Sequence, residues 1–245
     1  MATDNLTRKE REIMEREQLI LDTARTLLAS HGYQMFSMER IACEIEYSKG
    51  TIYNHFKSKE DVLSTLCCHS LISLSELFER AMNYPGSSRE KISALILAYA
   101  LHAQMRPIDV QNMQSIKTQV MREKVSIDLL DEMHLAEQKV IEPAQKIVMI
   151  AVAEGDLKIS NEDAIGEMIT GMWALGYGTF LLNQTQFDFD ELGLVLPEKQ
   201  FLNTAQKLLD GYHWQPLSSS FDIEKYYLEI GKKAFPEEMK TLKLI

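Results

Sequence analysis

The sequence predicts an all-α protein, with an N-terminal three-helix domain joined by a long helix to a larger C-terminal helical bundle. Three observations carry that expectation. Apolar residues recur three and four apart along most of the 245 positions, and no run alternates with the period of two of a half-buried strand. Segment ends carry helix punctuation, with Ser or Asp ahead of apolar runs and Gly or Pro behind them. Hydrophobic residues make up 45% of the chain, enough to bury a core, which argues against disorder.

The elements follow in order. A first helix is predicted from Arg8 to Ser30, with Leu19, Ile20, Ala24, Leu27 and Leu28 facing inward and His31-Gly32 as the stop. Ser37 then caps a short helix holding Ile41 and Ala42. A turn at Glu46 to Ser48 leads to a second short segment, Gly50 to Phe56, ended by Lys57-Ser58. Ser58 opens the joining helix, with Asp61 three positions later in an approximate capping box, and Asn83-Tyr84-Pro85-Gly86 ends it. Further helices are expected over 88–105, 108–119, 122–154, 161–184, 197–210 and 222–234. Pro143 falls inside the longest and has no N–H to donate, so that helix is expected to be kinked or split. Residues 8–58 form the expected first domain and 59–245 the second.

A formal charge of −10 argues at first sight against a nucleic-acid partner, because Lys and Arg supply much of the affinity for phosphates. The distribution reverses that argument. Residues 8–59 hold nine Lys and Arg against eight Asp and Glu, and Tyr47 to Lys59 has three Lys, one His and no acid. The acidity lies in the remainder of the chain, where it would keep the body of the protein off DNA.

Residues 1–18 are dense in Arg, Lys and Glu and lack the apolar stretch of a secretory signal. The longest apolar runs, such as Ile147 to Ala153, fall far short of the roughly 20 residues of a membrane span. Cys67 and Cys68 are adjacent and Cys43 stands alone, a pattern of reduced core thiols. A cytoplasmic protein with no membrane contact is expected. There is no GxSxG, nucleotide-binding glycine loop or HExxH, and His102, His134 and Glu137 lack a supporting ligand triad. No catalytic residues, cofactor or metal are expected, and the chain is not read as an enzyme.

Two short helices separated by a tight turn, behind a longer one, form the helix-turn-helix pattern, whose second helix enters the DNA major groove. The chemistry of the second segment sharpens that reading. Lys49, Thr51, Tyr53, Asn54, His55 and Lys59 offer cationic or short polar donors, while Ile52 and Phe56, four apart, would anchor the helix from behind.

From Leu19 to Leu63 the chain resembles the TetR family of transcription regulators: an Ala-containing first helix, Gly-Tyr, Ser before an Ile-Ala pair, then Ser-Lys-Gly-Thr-Ile-Tyr-Asn-His-Phe and Lys-Glu-Asp-Val-Leu. The resemblance implies that Thr51, Tyr53, His55 and Lys59 contact operator phosphates and that Lys49 and Asn54 touch bases. Ser48 and Gly50 belong to the same contact stretch, and Ser37 would present its helix start to a phosphate. One departure stands out. Where the family turn reads Ala-Gly-Val-Ser, this chain has Ile45-Glu46-Tyr47-Ser48, and a positive φ there would strain Glu46 by roughly 1 kcal/mol relative to glycine.

The resemblance further implies a homodimer on a pseudo-palindromic double-stranded DNA operator, released as a repressor by a small apolar or amphipathic effector. An activator or ligand-independent regulator would use the same residues, and a helical protein-interaction scaffold or a helical enzyme with a degenerate head is the alternative from another class. Tyr99, Met105, Met133, His134, Trp173 and Tyr177 are the candidate effector-binding residues, because thioether and aromatic side chains adapt to varied ligands. Gly171, Gly176 and Gly178 inside one predicted helix each cost about 1 kcal/mol against Ala. Gly171 and Gly178 share a face suited to close approach of another helix. The family's dimer interface is a four-helix bundle of its last two long helices, which assigns it to Met168, Gly171, Leu175, Gly178, Leu182, Leu202 and Leu209. Close packing inside one subunit is the alternative use of those glycines.

Overall fold

The computed structural model describes residues 7–116, 123–159, 161 and 163–245, and among them there is helix and no strand. The helices are α1 (Arg8–His31), α2 (Met38–Glu44), α3 (Lys49–His55), α4 (Lys59–Met82), α5 (Ser88–Met105) and α6 (Pro107–Ile116). They continue as α7 (Ile127–Glu154), α8 (Asp163–Asn183), α9 (Pro197–Gly211), α10 (Ile223–Ala234) and α11 (Pro236–Thr241). The chain forms two compact units, Met1–Leu71 with Arg106–Ala136, and Ile72–Met105 with Glu137–Ile245.

In the first unit, α1 opens with a reciprocal cap: the Glu10 N–H donates to Thr7 Oγ1 at 3.3 Å, and the Thr7 N–H donates to Glu10 Oε2 at 2.7 Å. It closes at Gly32, whose φ of 68° only glycine adopts without strain. Ile20, Leu21, Ala24 and Leu27 are buried, but Leu19 is exposed and Leu28 only half-buried. Three consecutive apolar residues, 19 to 21, cannot all face one side at 100° per residue, and the stripe settles on the latter two. Ile41, Ala42, Ile52, Phe56, Leu63 and Leu66 complete a core shared by α1 to α4. Helix α6 is fastened to that core by Arg25, whose Nε donates to Asp109 at 3.0 Å, and by Asn112, whose Nδ2 donates to the Leu63 carbonyl at 2.8 Å.

In the second unit, α5 is the central element, packing against α8, α9, α10 and α11. Ile92, Ala94, Leu95, Ile96, Leu97 and Ala98 are all buried, so α5 is apolar nearly all round. Its Arg89 is fully buried. The guanidinium donates to Gln206 Oε1, to Asp210 Oδ1 at 2.7 Å and to the Trp214 carbonyl, and Gln206 in turn donates to Ser93 and Tyr227. Burial pushes the Asp210 carboxyl up, but the Ser218 hydroxyl and N–H together with Arg89 outweigh it and leave it below the usual carboxylate range.

Some expectations need correction. Of the kink or split expected at Pro143, the split does not occur: helix α7 continues through it, with Ala144, Ile147, Val148 and Ala151 buried beyond it to hold the turn that lacks one ladder bond. It begins at Ile127, after a turn; the expected end at Gln119 and start at Arg122 lie outside the described residues. The short α11 was not foreseen from periodicity. Pro236 starts it, Met239 is buried under it, and Arg80 of α4 pairs with Glu238 at 2.6 Å while also donating to the Ala234 carbonyl.

Candidate nucleic-acid interface

Helices α2 and α3 and the turn between them come from residues with distinct local duties. Ser37 caps α2, its hydroxyl accepting from the Arg40 N–H at 3.2 Å, and Ser48 caps α3, accepting from the Thr51 N–H at 3.1 Å. The Ser48 and Thr51 hydroxyls also bond each other at 2.9 Å. Between the helices Glu46 has φ 57°, the left-handed conformation that a glycine would adopt freely. The turn therefore does require positive φ, and Glu46 carries the strain. Tyr47 points outward beneath the Arg16 guanidinium of α1, 5.5 Å from its ring centre, a cation–π contact between α1 and the turn.

One side of α3 is fixed and the other is open. Ile52 and Phe56 are buried, while Lys49, Gly50 and Asn54 are exposed, Tyr53 is 42% exposed, and Thr51 and His55 are half-buried. A Cβ on Gly50 would meet only Ser48 Oγ, at 3.7 Å, so nothing within the subunit demands glycine there. Lys59, at the start of α4, is half-buried, with its ammonium 4.7 Å from the centre of the Tyr33 ring. Lys49 Nζ lies 3.1 Å from Glu39 Oε1 of α2. Glu39, Tyr33 and Arg16 are the site residues that sequence reasoning missed. Their separations of 10, 26 and 31 positions from Lys49, Lys59 and Tyr47 have no helical period, so only the folded backbone reveals them.

Residues 20–66, which contain this arrangement except for Arg16, match the description of bacterial regulatory proteins of the tetR family. Over 170 residues the chain is 23% identical to the transposon Tn10 TetC protein of Escherichia coli, covering 69% of this chain and 81% of that one. It is 31% identical over 77 residues to the fatty acid metabolism regulator protein of Bacillus subtilis, covering 31% of this chain and 40% of that one. A bacterial regulatory protein in the tetR family from Rhodococcus RHA1 has the same fold, with TM-score 0.63, 15% identity and coverage of 80% and 96%. Over residues 20–66 the chain is thus similar to the tetR family. Regulators of that family bind DNA and act as dimers. No helix among the described residues is long and apolar enough to cross a membrane.

Outside α1 to α4, the chain places the other expected residues unevenly. Tyr99 is largely buried, its hydroxyl pushed up to about 12 by burial, with Tyr177 adding to the shift. Trp173 and Tyr177 meet edge to face at 6.3 Å, and Trp173 is 49% exposed. Met105 is half-buried in the same unit, whereas Met133, buried, and His134, exposed, belong to the other. Of the expected interface set, Met168 and Leu209 are buried in the subunit core, where they have no surface to offer a partner. Leu202 is half-buried against that core. Leu175 and Leu182 line an open apolar groove of about 420 Å³ together with Phe189, Leu194 and Phe201.

The glycines divide by role. A Cβ on Gly176 would stand 2.7 Å from the Tyr99 ring, one on Gly171 would touch the Tyr212 hydroxyl at 3.7 Å, and one on Gly178 would meet nothing within 4 Å. Close approach inside the subunit is thus at Gly176, where α5 presses its tyrosine onto α8. Gly178 is open. Among the described residues no group of three or more His, Cys, Asp or Glu is placed to hold a metal ion.

Proposed function

We propose that this regulator is a cytoplasmic repressor that occupies a pseudo-palindromic operator as a homodimer and leaves it when a small apolar or amphipathic effector binds. Residues 8–58 serve as the reading head and 59–245 as the sensing and pairing part. The observation that supports the reading most is the two-sidedness of α3, with Ile52 and Phe56 inward and Lys49, Tyr53 and Asn54 outward. Such a helix offers a groove both side chains that position and side chains that specify. Thr51, Tyr53, His55 and Lys59, with Ser37 and Ser48, serve as backbone contacts, and Lys49 and Asn54 as base readers. Gly50, which nothing within the subunit requires, leaves space for close approach of a phosphate.

Pairing runs through α8 and α9, using Gly171, Leu175, Gly178, Leu182 and Leu202. The effector site draws on Tyr99, Trp173 and Tyr177, with Met105 as a further candidate in the same unit; Met133 and His134 are separate candidates in the other unit. A differential affinity for the two states of about 1 to 3 kcal/mol would change operator affinity some 5- to 150-fold. No catalytic step is needed. Selection of bound sequences from random duplex DNA, followed by a screen of apolar compounds for release of the selected site, tests the proposal. A twofold-symmetric selected sequence and a releasing compound support it, and failure to enrich any sequence would overturn it.

A further inference from the structure

From Tyr47 to Lys59 the reading segment contains no acid, yet a carboxylate stands within it, supplied by the neighbouring helix. Glu39 Oε1 accepts from Lys49 Nζ at 3.1 Å, with the two side chains 50% and 64% exposed. The Glu39 carboxyl lies below the usual range because its own backbone N–H bonds it, then because Lys49 does, with Ser37 adding a smaller share. The carboxylate is an anion on α2 within reach of Lys49, whose long flexible stem adapts to it.

We propose that Glu39 is a specificity-determining residue that acts through Lys49, weakening attachment to non-cognate duplex more than attachment to the operator. This rests on the reading of α3 as the DNA-contacting helix. An unpaired lysine at the end of a recognition helix finds a phosphate on any sequence, because backbone charge is everywhere on a duplex and carries no sequence information. A lysine already held by a carboxylate gains little by exchanging one anion for another. It gains more where it can bridge, donating to the acceptor edge of a base while keeping Glu39, since an ammonium has three donors. Exposed ion pairs of this kind shift an equilibrium by about two- to fivefold, which sets the size of the expected effect.

The test uses the full chain with two duplexes, one of random sequence and one carrying the site selected from random DNA, each titrated over a salt series. The variants are Glu39→Gln, Glu39→Asp, Lys49→Ala and the Glu39→Gln/Lys49→Ala double variant. Both positions are exposed, so the fold should be kept, and the melting temperature of each variant checks that. Glu39→Gln should bind random duplex about two- to fivefold more tightly, with a salt slope steeper by about 0.9, one added phosphate contact. Affinity for the selected site should change less, so discrimination narrows, while Glu39→Asp stays nearer the wild type. In the Lys49→Ala background the Glu39→Gln exchange should leave the slope unmoved. The proposal is overturned if the wild type and Glu39→Gln curves on random duplex superimpose, or if the slope changes equally with and without Lys49. A wild-type chain that binds neither duplex is a different failure, one that overturns the DNA-contacting reading of α3 itself.

Discussion

Arg25 and Asp109 lie 84 positions apart in sequence and meet at 3.0 Å, the guanidinium of α1 against a carboxylate of α6 whose side chain is 4% exposed. Arg106 stands 3.4 Å from the other oxygen of the same carboxylate, and Arg25 also holds Asp22. A short helix far along the chain is thereby fastened to the first helix of the reading head. Breaking a pair whose acid is buried costs more than breaking a surface pair, because the remaining charge keeps its desolvation penalty. With Arg106 still present, Arg25→Ala should lower the unfolding free energy by about 1–3 kcal/mol in urea titrations. Arg8→Ala, which breaks the exposed pair with Glu12, should cost well under 1 kcal/mol.

Glu46 occupies a left-handed turn position with φ 57°. Replacing it by glycine should stabilise the protein by about 1 kcal/mol, raising the melting temperature by roughly 2–4 °C. A lowered melting temperature would mean that the Glu46 side chain contributes more than its backbone strain costs. Since Tyr47 and Lys49 follow the turn directly, operator affinity measured on the same variant reports whether the turn also aims α3.

The glycines of α8 should separate folding from pairing. Gly176→Ala forces a methyl to within 2.7 Å of the Tyr99 ring and should destabilise by about 1–3 kcal/mol. Gly178→Ala meets nothing in the subunit, so the monomer should gain up to about 1 kcal/mol of helix stability. If α8 pairs with a second copy across Gly178, that variant should also dissociate at higher protein concentration than the wild type in sedimentation. Unchanged association would remove Gly178 from the interface.

On the operator, Lys49→Ala should relax base preference at one position per half-site at a cost of about 1–3 kcal/mol. Lys59→Ala should instead weaken binding to all sequences alike and reduce the salt slope by about 0.9. Binding curves on the selected site and its single-base variants tell the two apart. Equal relaxation by both variants would contradict the division of roles.

Alkaline pH should destabilise the second unit. The Tyr99 hydroxyl ionises near 10 in the unfolded chain but is pushed up to about 12 by burial in the folded one. The unfolded state therefore loses its proton first, and stability is fully present below pH 10 and falls as pH rises from there toward 12. Tyr226 and Tyr227 are shifted upward by burial too, adding to the same decline. Melting temperatures across that range should fall less steeply for Tyr99→Phe than for the wild type.

What the sequence made legible depends on how local the cause is. The bounds of α5 could be read from Ser88 and from the Arg106-Pro107 stop, because capping and proline geometry act within one turn. The reading segment was legible for the same reason: Ile52 and Phe56 inward, Tyr53 and Asn54 outward follows from a single helical period. What escaped the sequence was set by tertiary neighbours. Pro143 was expected to kink or split α7, and the helix is not split there, with Ala144, Ile147 and Val148 buried just beyond it. Gly171 and Gly178 share a face, yet it is Gly176 that a ring of another helix presses upon. Leu209 was assigned to the dimer interface through the family resemblance and is wholly buried in the subunit. Glu39 carried no signal at all, because the lysine that it holds lies ten positions away across a turn.

The buried guanidinium of Arg89 has a consequence for how the second unit comes apart. Its partners are drawn from 206, 210 and 214, and through Gln206 the chain of donors reaches Tyr227, so one cation on α5 tethers most of the segment that follows α8. If that segment peeled away by itself, the cation would be stranded in an apolar interior with no acceptor. The tail should therefore be unable to fray independently, and its amides should exchange with solvent only as fast as those of α5, in one cooperative opening.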